Sequence, residues 1–212
     1  MTRRPVRTMT RPLLLVALAT LTASAAQGQH HHAAHPARHA DSLAVAEAFV
    51  VTGLRVDETA PPPGSAVGRA GLRFADGGYV SVTYGRPYAR GRQLWGGLVT
   101  EGDVWVAGAH RATELATTVP LTVGGTRVEP GVYALFVTPR ADRWTLHVNA
   151  RPGQHLADEY DASEDVATAD AAPSETAAAV EGLTWAFASD GSALALSWAD
   201  RSASFPLARA DR

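Results

Sequence analysis

From about Ala66 onward the chain alternates apolar and polar residues in short runs separated by turn residues, the pattern of antiparallel strands with one buried face. Gly71 to Phe74 and Tyr79 to Tyr84 flank Asp76-Gly77-Gly78, which predicts a hairpin because glycine supplies the positive φ angles of a tight turn. In the second run Val80, Val82 and Tyr84 share one face, and Tyr79, Ser81 and Thr83 share the other. Thr113 to Thr118, Leu121 to Val123 and Thr126 to Val128 follow, the last two joined by Gly124-Gly125. After Glu129-Pro130-Gly131, the run Val132 to Thr138 is apolar on both faces and is expected to be a central strand covered on both sides.

Trp144, Leu146 and Val148 alternate with Thr145, His147 and Asn149, which turns the tryptophan face inward and His147 away from it. Leu183, Trp185 and Phe187 line one face of a later strand, and Leu194, Leu196 and Trp198 one face of the next, with Ser189-Asp190-Gly191 between them. A last strand, Ala203 to Leu207, contains Pro206 and is expected at a sheet edge. Residues 158–179 are acidic and alanine-rich, and read as a solvated excursion with one short strand near Asp165 to Thr168. About eight or nine short strands without a sustained amphipathic helix predict an all-β antiparallel sandwich or jelly-roll-like fold over residues 64–212.

The N-terminal pattern is different. Arg3, Arg4, Arg7 and Arg11 precede the apolar run Leu13 to Ala19 and the small residues Ala23-Ser24-Ala25-Ala26, the order of a cleavable export signal over residues 1–26. The apolar run is about half of the roughly 20 residues that a membrane span requires. Residues 27–63 read as a flexible arm rich in histidine, alanine and proline, closed by Pro61-Pro62-Pro63-Gly64. Leu43, Ala46, Val50 and Leu54 recur within it at helical spacing and predict one short helix.

Composition narrows the chemistry. The chain has no cysteine, which excludes disulfides, thiolate catalysis and the lipid attachment of a bacterial lipoprotein. All 19 basic residues are arginine, so a lysine Schiff base is excluded too. Loss of the signal removes four arginines and leaves 15 basic against 21 acidic residues, a net charge of −6. That balance argues against a nucleic-acid partner. The expected location is periplasmic or secreted, with no integral membrane span after signal cleavage.

Several motifs in series resemble a bacterial family, domain of unknown function 2911. They are Val82-Thr83-Tyr84-Gly85-Arg86-Pro87, Gly91-Arg92, Trp95-Gly96-Gly97-Leu98-Val99 and Gly102-Asp103-Val104-Trp105. Pro130-Gly131-Val132-Tyr133-Ala134-Leu135-Phe136, Trp144-Thr145-Leu146 and Leu183-Thr184-Trp185 extend the likeness over roughly Ala66 to Leu207. The resemblance implies an exported bacterial protein and assigns no activity. Where the family usually has Arg-Thr-Gly-Ala-Asn, this chain has Val106-Ala107-Gly108-Ala109-His110. An arginine is thereby lost and the usual asparagine is a histidine.

The densest polar cluster is Arg86, Arg90, Arg92, Glu101, Asp103, His110, Arg111 and Glu114, interleaved with Tyr84, Tyr88, Trp95 and Trp105. Arginine forks bind carboxylate or phosphate, and aromatic faces stack on sugars. Arg86, Arg92, Trp95, Trp105 and Arg111 are therefore the candidate ligand contacts, for a small ligand, a glycan or an envelope component. The same residues also have a structural use, with arginines bonding loop carbonyls or pairing with Glu101 or Asp103 while tryptophans close the end of the core. His110 with Asp103 or Glu114 is the candidate general-base pair of a hydrolase or metal-assisted enzyme. No serine-nucleophile motif accompanies it. His30, His31, His32, His35 and His39 are the candidate ligands for a divalent metal. No carboxylate is organised around them, so adventitious binding is the expectation there and no cofactor is assigned.

Overall fold

The computed structural model describes residues 64–210, together with the backbone of the strand Val45–Val50. The expected export signal over residues 1–26 and the five clustered histidines lie outside the described residues. Among the described residues, eleven strands form two antiparallel sheets. They are β1 (Val45–Val50), β2 (Ala66–Arg73), β3 (Tyr79–Arg86), β4 (Thr113–Thr117), β5 (Leu121–Val123), β6 (Thr126–Val128), β7 (Gly131–Pro139), β8 (Trp144–Asn149), β9 (Asp165–Ala171), β10 (Ser174–Phe187) and β11 (Ala193–Arg209). The seven-stranded sheet runs β1-β2-β3-β4-β7-β8-β9, and the four-stranded sheet runs β10-β11-β5-β6.

The all-β reading holds, and ten of these strands fall within residues 64–212. Alternation decides which side chains enter the space between the sheets. Leu72, Val80, Val82, Leu115, Leu135, Val137, Trp144 and Leu146 arrive from the large sheet; Leu183, Trp185, Leu196, Trp198 and Phe205 arrive from the small one. Each aliphatic side chain so buried contributes about 2 kcal/mol. β7 is central, between β4 and β8, and is covered on both faces. Leu135 and Val137 join the main core, while Ala134 and Phe136 join a smaller cluster with Val106 and Ala112 on the outer face.

Three expectations change. Over Val45–Val50 the chain is a strand paired to β2 from Val45↔Arg73 to Val50↔Gly68, where helical spacing suggested a helix. Pairing to the adjacent β2 overrides a weak periodic signal that within this span rests on Ala46 and the β-branched Val50 alone. The acidic excursion is largely strand: the short strand expected near Asp165 to Thr168 is present as β9, which runs on to Ala171 along β8, and β10 begins at Ser174. Only Ala157–Glu159 and Ala162–Glu164 form short 3-10 turns. Finally, the Pro206 segment is no separate edge strand. It is part of β11, which lies between β10 and β5. β11 pairs with β10 as far as Ser202 and with β5 from Leu207, so Pro206 occupies the change of partner, where its missing N–H interrupts no ladder.

Candidate functional site

The connection from residue 87 to residue 112 lies across one end of the sandwich and carries most of the polar cluster. It is stitched down by single bridges, Tyr88 to Gly182 and Trp105 to Val137. Its last stretch is pressed onto β3, since a side chain at Gly85 would collide with the Ala109 carbonyl. The Ala107 carbonyl accepts from Trp185 Nε1 at 3.0 Å and from Thr113 Oγ1 at 3.0 Å. Ala107 and His110 both adopt positive φ, 47° and 69°, a conformation that side chains other than glycine, asparagine and aspartate take at a cost. The packing below the loop holds that strain, and it exposes His110 at the surface.

This arrangement separates the residues that the sequence groups together. Tyr88, Arg90, Arg92, Trp105, His110 and Trp198 line one open cavity of about 390 Å³, with Leu98 and Leu156. Ala66, Val67, Tyr84, His110, Arg111 and Glu114 line a second, of about 240 Å³. Trp95 and Glu101 line a third, of about 120 Å³, with Arg140 and Arg201. Arg86 lines none of the three. Its buried guanidinium lies 5.2 Å from the Tyr88 ring centroid and donates to the Tyr88 hydroxyl at 3.2 Å. Gly182 leaves the room for it, because a side chain there would meet the guanidinium.

Arg92 donates from Nε to the Ala89 carbonyl at 3.1 Å and from Nη2 to the Tyr88 carbonyl at 2.6 Å. Those bonds fix its plane. Arg90 stacks 5.8 Å from the same Tyr88 ring and donates from Nη2 to the Gly64 carbonyl at 2.7 Å. Two guanidinium groups are thus held on one wall around a buried tyrosine. The opposite character comes from indoles: Trp105 stacks on Trp198 at 5.8 Å between centroids and 13° between planes. Trp198 is 1% exposed and Trp105 half-buried. Trp95 completes the aromatic end of the core, 4.9 Å from Trp144, and its Nε1 donates to Asp200 at 2.9 Å.

His110 makes no hydrogen bond to Asp103 or Glu114 among the described residues. Glu114 accepts from the Gly153 N–H at 3.0 Å, and Glu101 accepts from the Ala141 N–H at 2.7 Å. His110 and Glu114 nonetheless share the second cavity. Among the described residues there is no group of three or more histidine, cysteine, aspartate or glutamate side chains arranged to hold a metal.

One polar network was not visible in the sequence pattern. His147 lies 2.9 Å through Nδ1 from Asp165 Oδ2 and 3.0 Å through Nε2 from Thr138 Oγ1. Tyr160 donates its hydroxyl to the same Asp165 oxygen at 2.5 Å, and Asn149 Nδ2 donates to the other at 2.9 Å. Burial, then the hydrogen bond to Asp165 and the negative charges of Asp165 and Asp161, push the Tyr160 hydroxyl well above its ordinary range. The order hydroxyl, imidazole, carboxylate resembles a nucleophile relay. Thr138, however, is 7% exposed and none of the three cavities reaches it. The network fastens the 3-10 turns to the outer face of the large sheet. Period-two spacing places His147 on that face, but its partners Tyr160 and Asp165 come from the acidic segment, where no strong pattern fixes a position.

The profile of a family described as "Protein of unknown function (DUF2911)" matches residues 70–207. The chain belongs to the DUF2911 family. The match spans β3 to β8, the loop that bears the first cavity, and most of the small sheet. In DUF2911 terms, the resemblance noted from the motifs is therefore shown over nearly the whole domain. Comparison with curated proteins and with solved structures gives no match.

Proposed function

We propose that this DUF2911 protein is exported, to the periplasm or beyond the cell, and there binds a small anionic ligand without transforming it. The observation that carries the reading is the convergence of Arg90, Arg92, Tyr88, Trp105 and His110 on one cavity of about 390 Å³, a volume within the range of small-molecule sites. Guanidinium groups pre-oriented by carbonyls and a tyrosine ring lose little freedom on meeting a carboxylate or phosphate. An adjacent indole supplies apolar contact area for the rest of the ligand. No helix among the described residues is long and apolar enough to cross a membrane.

A thermal-shift series with carboxylates, sugar acids and phosphate esters tests the reading. Stabilisation of the unmodified protein is expected, with loss of that stabilisation in the Arg90→Gln/Arg92→Gln double variant. Both side chains are exposed, so the double variant is expected to keep the parent circular dichroism. Equal stabilisation of both proteins would remove the arginines from the site. A second reading is a hydrolase, favoured by one observation, that His110 and Glu114 line the same cavity. It requires turnover in a hydrolase panel that falls at least about tenfold in His110→Ala, the smaller end of general-base contributions being larger still.

A further inference from the structure

The third cavity, of about 120 Å³, brings one carboxylate and two guanidinium groups together beside an indole: Glu101, Arg140, Arg201 and Trp95. Each charged group is fixed by something other than an opposite charge. Glu101 accepts from the Ala141 N–H through Oε1 at 2.7 Å, and its Oε2 makes no hydrogen bond among the described residues. Arg140 lies against Gly102, where an added side chain would meet Nη1 at 3.4 Å. Arg201 stacks 5.4 Å from the centroid of the Trp95 ring, whose Nε1 donates to Asp200. Glu175 stands opposite Arg201 in the strand register. Among the described residues, however, no ion pair joins Arg140 or Arg201 to a carboxylate. The strand is bent to place them: Ala199 has a φ of 50°, and the register of β10 against β11 slips between Val180 and Glu175. A bulge redirects the side chains beside it, and here the next two residues, Asp200 and Arg201, both reach Trp95. A left-handed angle at alanine has a cost that a regular strand avoids.

We infer that this cavity binds a small α-amino acid as its zwitterion, with the ligand carboxylate at Arg140 and Arg201 and its ammonium at Glu101. A simple anion brings its charge against Glu101, and a simple cation meets two arginines. A ligand with both signs on neighbouring atoms answers all three groups. A free α-amino acid is such a ligand at neutral pH. Guanidinium forks match its carboxylate, and the second oxygen of Glu101 accepts from its ammonium. The volume is below the roughly 300–1,000 Å³ of sites for larger organic ligands, which favours glycine or alanine over bulky side chains. The site shares no lining residue with the first cavity, so it stands or falls apart from the anion reading given there.

Isothermal titration of the full chain with glycine, L-alanine, acetate and methylammonium tests the site. Glycine and L-alanine are expected to bind at least about tenfold more tightly than either singly charged fragment, because each fragment lacks one charge-assisted contact. Glu101→Gln keeps an acceptor for the Ala141 N–H and is expected to retain the parent circular dichroism. It should weaken glycine at least about tenfold and tighten acetate, since a like charge is gone. Arg140→Gln/Arg201→Gln should weaken glycine, L-alanine and acetate together. The Trp95 indole N–H resonance should shift on saturation with glycine. Acetate binding as tightly as glycine, or weakened along with it in Glu101→Gln, overturns the zwitterion assignment. Glycine affinity unaltered by the two arginine substitutions overturns the location. Absence of binding by glycine and L-alanine overturns the site outright and leaves the reading of the first cavity untouched.

Discussion

Three side chains hold protons or backbone angles that their surroundings alone explain. Tyr160 and Tyr84 are both raised above the ordinary tyrosine value near 10, Tyr84 chiefly by burial and Tyr160 by burial reinforced by Asp165. Above about pH 10 the unfolded chain releases these phenolic protons while the folded protein retains them. The folded state then binds more protons, so stability falls as pH rises. Thermal unfolding followed from pH 8 to 11 should show Tm dropping above about pH 10, less steeply in Tyr160→Phe. At neutral pH the same substitution is expected to cost about 1 kcal/mol for the lost hydrogen bond. An identical alkaline slope in parent and variant would contradict the assignment. His110, with φ of 69°, predicts a different series. His110→Asn should be nearly neutral, since asparagine tolerates left-handed backbone, and His110→Val should cost about 1–2 kcal/mol. Equal denaturant midpoints for the two variants would show that the turn is not held in that conformation.

At the scale of elements, legibility followed side-chain size. Strands carrying tryptophan or several large aliphatics, such as β7, β8 and the Leu183 to Phe187 half of β10, declared their inward faces by alternation alone. β9 did not, because its buried positions are Ala167 and Ala169, which bury little area and have low strand preference. It exists because β8 offers it an edge. The site was legible only as a density of arginine and aromatic residues in the long loop. Period two in β3 carries Arg86 onto the inward face with Val80, Val82 and Tyr84, but spacing cannot say that Arg90 and Arg92 turn to the cavity, since a loop has no fixed period. Trp198, Leu98 and Leu156 were missed because they reach the cavity through tertiary packing. The His147 network yields an element-scale prediction. His147→Ala removes bonds to Asp165 and Thr138 at once, a loss of about 2–3 kcal/mol. Amide exchange should quicken in residues 157–165 and in β9, with β2 and β3 unaffected. Uniform quickening over both sheets would show that the network does more than hold that segment.

For the whole molecule, the two sheets and their tryptophan-rich interior supply the stability of a cysteine-free domain, and the loop over one end carries the residues proposed for recognition. The core indoles Trp144 and Trp185 are fully buried between the sheets, whereas Trp105 and Trp198 line the arginine-bearing cavity. That division makes the five tryptophans internal reporters of where a ligand sits. The most direct measurement of the central claim is the indole N–H region of a ¹H–¹⁵N spectrum during titration with an anionic ligand identified by thermal shift. Shifts of the Trp105 and Trp198 resonances, with Trp144 unmoved and the whole response abolished in Arg90→Gln/Arg92→Gln, are the predicted result. Saturation of the ligand with Trp105 and Trp198 unmoved would contradict the account.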